Sequence, residues 1–163
     1  MKPAGKTNAV RLLDGLGISY ELRPYEVDLD DLTAISVAKK IGLPAEQVFK
    51  TLLAQTNAGG HVFGVIPGDA ELDLKKLAVA AGAKKAELAS LKEVEPLTGY
   101  VRGGVTVMGA KKPFPAFADE VMELFDVISV SAGLRGLQVL LSPTDYLRAS
   151  EASLADLTKA VST

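Results

Sequence analysis

The chain contains no cysteine, no tryptophan and a single histidine, His61. Without cysteine there are no disulfides, no thiolate metal ligands and no thiol nucleophile. One histidine excludes a His₂ or His₃ metal site within one chain, and a Ser-His-Asp triad would have to run through His61. No Gly-x-Ser-x-Gly elbow occurs anywhere. Neither Gly103-Gly104 nor the segment Gly133 to Gly136 matches a Walker loop or a dinucleotide fingerprint, which removes nucleoside-triphosphate chemistry. No stretch approaches the ~20 apolar residues of a membrane span, and no early apolar run follows Met1-Lys2-Pro3. The expectation is a soluble, cytoplasmic protein with no membrane partner, no metal and no cofactor. Most of the usual catalytic kit is missing.

What is present is ordinary for one globular domain. The 163 residues, 48% hydrophobic and 23% charged, suffice for a core without staples. No Ser/Gly/Pro-rich linker or like-charge block divides them, so residues 1–163 read as a single domain. Eighteen basic against twenty acidic residues leave a net charge of −2, without the global basic footprint of a non-specific nucleic-acid binder. Lysine pairs at 39–40, 75–76, 84–85 and 111–112, with Arg102 and Arg135, read first as a solvated face. Gathered at one mouth, some of them would attract a phosphate backbone.

Spacing and punctuation place the elements. Val10, Leu13 and Leu16 put a helix over about 8–16, stopped by Gly17, and a strand over 18–23 ends at Pro24. Thr33 caps a helix carrying Val37, Ala38 and Ile41 and closed by Gly42, after which Pro44 opens a short turn. Residues 48–56 and 61–66 form a hairpin across Asn57-Ala58-Gly59-Gly60. A helix follows over 73–81, and Ser90-Leu91-Lys92-Glu93 is a capping box that starts another. Residues 100–108 read as a glycine-interrupted strand or strand pair, and 114–118 as a short strand. Residues 127–131 and 137–141 make a second hairpin, and Ser142-Pro143 opens a C-terminal helix. Antiparallel hairpins with peripheral helices argue for an α+β fold.

Two features invite chemistry. Lys50 lies within the apolar run Val48-Phe49-Lys50-Thr51-Leu52-Leu53, where strand alternation puts it on the face of Val48 and Leu52. Either its head reaches water, or it is a cation aimed into a pocket at a phosphate or carbonyl. Gly103-Gly104 marks either a structural bulge or a backbone wall that a ligand touches directly. His61 reads as a surface or loop histidine.

At these same positions the sequence resembles the YbaK family, free-standing relatives of the editing domain inserted in bacterial prolyl-tRNA synthetases. The resemblance runs through Ile18-Ser19-Tyr20, Pro24-Tyr25-Glu26, Gly42-Leu43-Pro44 and Gln47-Val48-Phe49-Lys50-Thr51-Leu52-Leu53. It continues through Glu71-Leu72-Asp73-Leu74-Lys75-Lys76, Gly82-Ala83-Lys84-Lys85, Thr98-Gly99-Tyr100 with Gly103-Gly104, and Val130-Ser131 to Arg135-Gly136-Leu137.

The resemblance implies a compact α+β domain with a curved, mixed, mostly antiparallel sheet, and trans-editing hydrolysis of mischarged tRNA(Pro), chiefly Cys-tRNA(Pro). It implies tRNA as substrate and prolyl-tRNA synthetase as a transient partner. By position, Lys50 looks like the family's essential lysine, and Gly103, with Gly104 behind it, like the glycine loop at the aminoacyl ester. Tyr25 and Ser131 match pocket-lining positions, with Arg135 and Gln138 assigned to substrate binding beside them. Val107 stands where the family often has proline, and Gln138 where it often has aspartate.

An aminoacyl ester is already activated, so its hydrolysis needs positioning, a nucleophile and stabilisation of the developing oxyanion. A cysteinyl ester carries its own nucleophile, a thiol that displaces the tRNA as a cyclic thiolactone. An alanyl, seryl or threonyl ester would need a positioned water. Two further readings stay open: a deacylase preferring Ala-, Ser- or Thr-tRNA, motivated by Val107 and Gln138, and a non-catalytic module binding aminoacyl-tRNA or synthetase.

Overall fold

The structure is a computed structural model that describes residues 6–160; the opening Met1-Lys2-Pro3 lies outside them. Its first helix, α1 (Asn8–Gly15), starts where the Thr7 hydroxyl accepts the Val10 N–H, and it buries Ala9, Val10 and Leu13. Strand β1 (Glu21–Pro24) follows. Helix α2 (Ala34–Ile41) runs between Thr33 as N-cap and Gly42, whose left-handed φ of 76° any side chain would strain. A 3₁₀ turn at Ala45–Gln47 leads into the hairpin β2 (Phe49–Thr56) and β3 (His61–Pro67). Then come α3 (Leu74–Ala80), β4 (Ala86–Leu88) and α4 (Leu91–Thr98). The Glu93 carboxylate accepts the Ser90 N–H at 3.0 Å, as a capping box requires. The chain closes with β5 (Ala116–Asp119), β6 (Ile128–Leu134), β7 (Leu137–Leu141), α5 (Pro143–Ser150) and β8 (Ser153–Ala155).

The α+β class and the mixed, mostly antiparallel pairing are as expected. The strands sort into two ladders, β1-β7-β6 and β4-β2-β3-β5-β8. The parallel pairs are β3–β5 and β5–β8, and the other ladder pairs are antiparallel. A lone parallel bridge, Val48 to Ser129, joins the two ladders. That seam brings the start of β2 beside the start of β6. The main core, with Phe49, Met122, Val130, Val139 and Tyr146, lies behind it, and α2 packs Val37, Ala38 and Ile41 onto Val48.

Residues 100–108 are not a strand. The β-branched run Val105-Thr106-Val107 is the signal that reads as a strand, although there Thr106 is buried and both valines are more open. Tight turns from Val101 to Gly104 (2.8 Å) and from Val107 to Ala110 (3.3 Å) fold the segment back instead. The buried Tyr100 hydroxyl donates to the Met108 carbonyl at 2.7 Å and staples the loop shut. The short strands β4 and β8 had no clear sequence signal, since three residues carry too little periodicity.

Candidate functional site

At the seam lies a cavity of about 420 Å³, within the range of small-molecule sites. The start of α2, strand β2, the first turn of α4, the 100–108 loop and the β6–β7 hairpin wall it. Lys50, Gly103, Ser131 and Gln138 line it together, although they come from four separate stretches of sequence.

Lys50 is half-buried, and its ammonium donates to the Gly68 carbonyl at 3.2 Å. Burial holds its pKa below the ordinary lysine value, a shift opposed by the nearby carboxylates of Asp69 and Glu71. The strand therefore delivers the cation into the cavity between apolar walls. Gly68, not singled out from sequence, sets that geometry. A Cβ there would lie 2.7 Å from the Val48 carbonyl and 2.8 Å from the Ala34 Cβ. Pro67-Gly68-Asp69 at the end of an apolar strand was the available signal.

Gln138 and Ser131 face each other across the β6–β7 ladder. The Ser131 hydroxyl accepts the Gly133 N–H at 3.1 Å at the bulge of β6. Gln138 is 5% exposed, and its Oε1 accepts from the fully buried Ser129 hydroxyl at 2.8 Å. With its oxygen so engaged, the amide presents its N–H groups as the free face. Sequence inspection did not mark Ser129, because its role exists only across the ladder.

Other assigned residues stand elsewhere. Gly104 does not line the cavity: its N–H is committed to the Val101 carbonyl, so it has no donor for an oxyanion. A Cβ at Gly104 would lie 3.1 Å from the Arg135 backbone nitrogen, so this glycine permits a close approach of loop to hairpin. Gly103, at φ 90°, is the glycine that reaches the cavity. Tyr25 lies outside the lining, packed on the α2 cluster beneath Lys40, its N–H on the Gly136 carbonyl. Arg135 also lies outside the lining; its Nε donates to the Arg102 carbonyl at 2.7 Å. His61 is not a surface histidine. Its ring packs 5.3 Å from that of Phe114, and the side chain is 15% exposed.

The lining residues include no histidine, aspartate or glutamate; the carboxylates nearest Lys50 are those of Asp69 and Glu71, outside the lining. Among the described residues no three of His, Asp and Glu lie close enough to hold a metal ion, and no helix is long and apolar enough to cross a membrane. A second hollow of about 520 Å³, between α1, α5 and the 107–116 segment, holds none of the assigned site residues.

The fold is a two-ladder α+β domain with a largely apolar cavity that a single lysine, Lys50, enters from strand β2. The chain belongs to the aminoacyl-tRNA editing domain family, whose model matches residues 31–149. It is 42% identical over 157 residues, 96% of each chain, to "Putative Cys-tRNA(Pro)/Cys-tRNA(Cys) deacylase EbsC" of Enterococcus faecalis. It is 31% identical over 151 residues, 90% of this chain and 89% of the other, to "Multifunctional Ser/Thr-tRNA deacylase ProXp-y" of Escherichia coli K12. Among solved structures, one described as "a putative trans-editing enzyme for prolyl tRNA synthetase" superposes with a TM-score of 0.79 at 24% identity, over 96% of this chain and all of that one.

Proposed function

We propose that the chain is an aminoacyl-tRNA deacylase acting in trans on mischarged tRNA(Pro), with Cys-tRNA(Pro) the leading substrate and prolyl-tRNA synthetase a transient partner. One observation carries the reading: Lys50 enters a cavity whose lining has no carboxylate and no imidazole. Such a site holds an activated ester but furnishes no base of the usual kind, which suits a substrate that brings its own nucleophile. The full-length likeness to the Enterococcus protein supports the cysteinyl substrate.

Lys50 positions the terminal adenosine or the ester, and the Gly103 backbone, at a turn that a side chain would strain, approaches the reacting carbonyl. The cysteinyl thiol attacks the ester carbonyl, the carbon–oxygen bond to the ribose breaks, and the tRNA hydroxyl takes the thiol proton. Ser131 and Gln138 form the wall beside the aminoacyl group.

A second reading, in which water hydrolyses seryl or threonyl esters, is favoured by the free N–H face of Gln138, because a hydroxyl oxygen accepts a hydrogen bond better than sulfur. The test is deacylation across a panel of Cys-, Ala-, Ser- and Thr-charged tRNA(Pro), with Lys50→Ala in parallel. The cysteinyl substrate is expected to turn over fastest, and Lys50→Ala to lose at least roughly 100-fold, the scale on which loss of a transition-state contact is felt. Inactivity on every cysteinyl substrate removes the first reading. Turnover at the wild-type rate in Lys50→Ala removes the role of the lysine.

A further inference from the structure

We propose that Arg102 and Arg135 form a phosphate anchor at the mouth of the cavity, binding the backbone of the single-stranded 3′ end that carries the ester. Arg102 is exposed and lines the cavity. Arg135, outside the lining, comes from the β6–β7 turn, and its Nε donates to the Arg102 carbonyl at 2.7 Å, so the two loops are tied together where their guanidinium groups emerge. Gly103 makes room for this: a Cβ there would lie 3.4 Å from Arg135 Cγ and 3.5 Å from its Nε. The glycine loop therefore docks onto an arginine stem, and the contact fixes where the second cation emerges.

Among the described residues neither arginine is paired with a carboxylate, whereas Arg23, Lys6, Lys76 and Lys159 each are. With its Nε spent, Arg135 retains four further N–H donors, and Arg102 has no side-chain hydrogen bond within the described residues. Arg102, on the cavity lining that also holds Lys50, and Arg135, tied to it, are two guanidiniums without a carboxylate partner and give a local positive field on a chain of net charge −2. Guanidinium groups take phosphate bidentately, and an acceptor-only ligand of repeated negative charge satisfies both. The inference rests on the deacylase reading for the identity of the strand. It adds how a near-neutral domain holds that strand without a basic face.

The test measures deacylation of cysteinyl tRNA(Pro) and, separately, binding of an uncharged acceptor-stem RNA minihelix by fluorescence anisotropy, both against salt. Arg102→Gln is expected to raise KM about 10-fold with kcat within about 3-fold. Its salt dependence, log Kd against log salt, is expected to lose about 0.7 of slope per phosphate contact removed. Arg102→Lys should keep most of that slope, and Arg135→Lys, which keeps charge but loses the Nε contact, should fall between. Unchanged affinity and slope in Arg102→Gln overturn the anchor, as does a fall in kcat with KM unaltered. An acidic peptide bound as tightly as the minihelix also overturns it. Loss of minihelix affinity in a protein that deacylates nothing supports the anchor and removes the deacylase reading instead.

Discussion

The ammonium of Lys50 is held on the carbonyl of Gly68, 3.2 Å away, and this bond ties strand β2 to the turn that ends β3. The lysine is thereby aimed into the cavity rather than left to sweep through water. Burial works against its charge while Asp69 and Glu71 favour it.

A lysine with a depressed folded pKa binds fewer protons in the fold than in the unfolded chain at pH values between that folded value and the ordinary 10.5. The unfolded state binds more protons there, so this group's penalty on folding fades as pH rises through the window. Melting curves of wild type and Lys50→Met from pH 7 to 10 should show wild type gaining ground on the variant. A difference in Tm independent of pH would show that the charge is not strained.

Gly68→Ala should be among the costliest single-methyl changes in the molecule. The new Cβ would meet two backbone carbonyls and the Ala34 Cβ, all within 3.0 Å, and rigid backbone has little room to yield. Overpacking of this kind costs about 1–3 kcal/mol, and the displaced carbonyl would release Lys50. Denaturant unfolding and deacylation should both suffer. A stable variant with full activity would separate the turn from the site.

Tyr100 closes the loop that carries Gly103. Desolvation raises its pKa to about 12 from the ordinary 10.0. The unfolded chain therefore loses this proton first, and stability present below pH 10 declines between pH 10 and 12. Tyr100→Phe should lose about 1 kcal/mol at pH 7 with the hydroxyl's bond to Met108, and should show less of the alkaline decline. The decline itself should be roughly 2 kcal/mol by pH 11.5, since the ring is buried and each unit of pKa rise is worth about 1.4 kcal/mol. Chemical denaturation at pH 7 and pH 11.5 measures both.

Ser129→Ala removes the donor that orients the Gln138 amide. Leaving Oε1 buried without a partner should cost about 1–3 kcal/mol. The freed amide can then rotate and offer its oxygen to the cavity, so relative rates on cysteinyl and seryl substrates should change even where overall activity survives. An unaltered ratio would mean that Gln138 does not contact the aminoacyl side chain.

Much of the fold was legible because local rules act over a few residues. Thr33 and Gly42 bound α2, Asn57 to Gly60 turns the first hairpin, and Ser142-Pro143 starts α5, each through its own backbone requirement. Lys50 stood out because a cation within an apolar strand costs desolvation whatever surrounds it. The loop at 100–108 misled for the same local reason. Its β-branched residues favour a strand, yet a strand exists only if a neighbour supplies the ladder, and here the chain folds onto itself through Tyr100 and Met108.

Sequence alone determined the absence of cysteine and of all but one histidine, which excludes thiol, disulfide and histidine-cluster chemistry, and it determined the lysine embedded in an apolar strand. Tertiary structure decided which glycine reaches the cavity, that Gly104 spends its N–H internally, that Tyr25 stands outside, and that Ser129 turns Gln138. Lys50 meets Ser131 and Gln138 because the two ladders touch at the Val48–Ser129 bridge, across 81 positions of chain, and no local propensity carries information over such a distance.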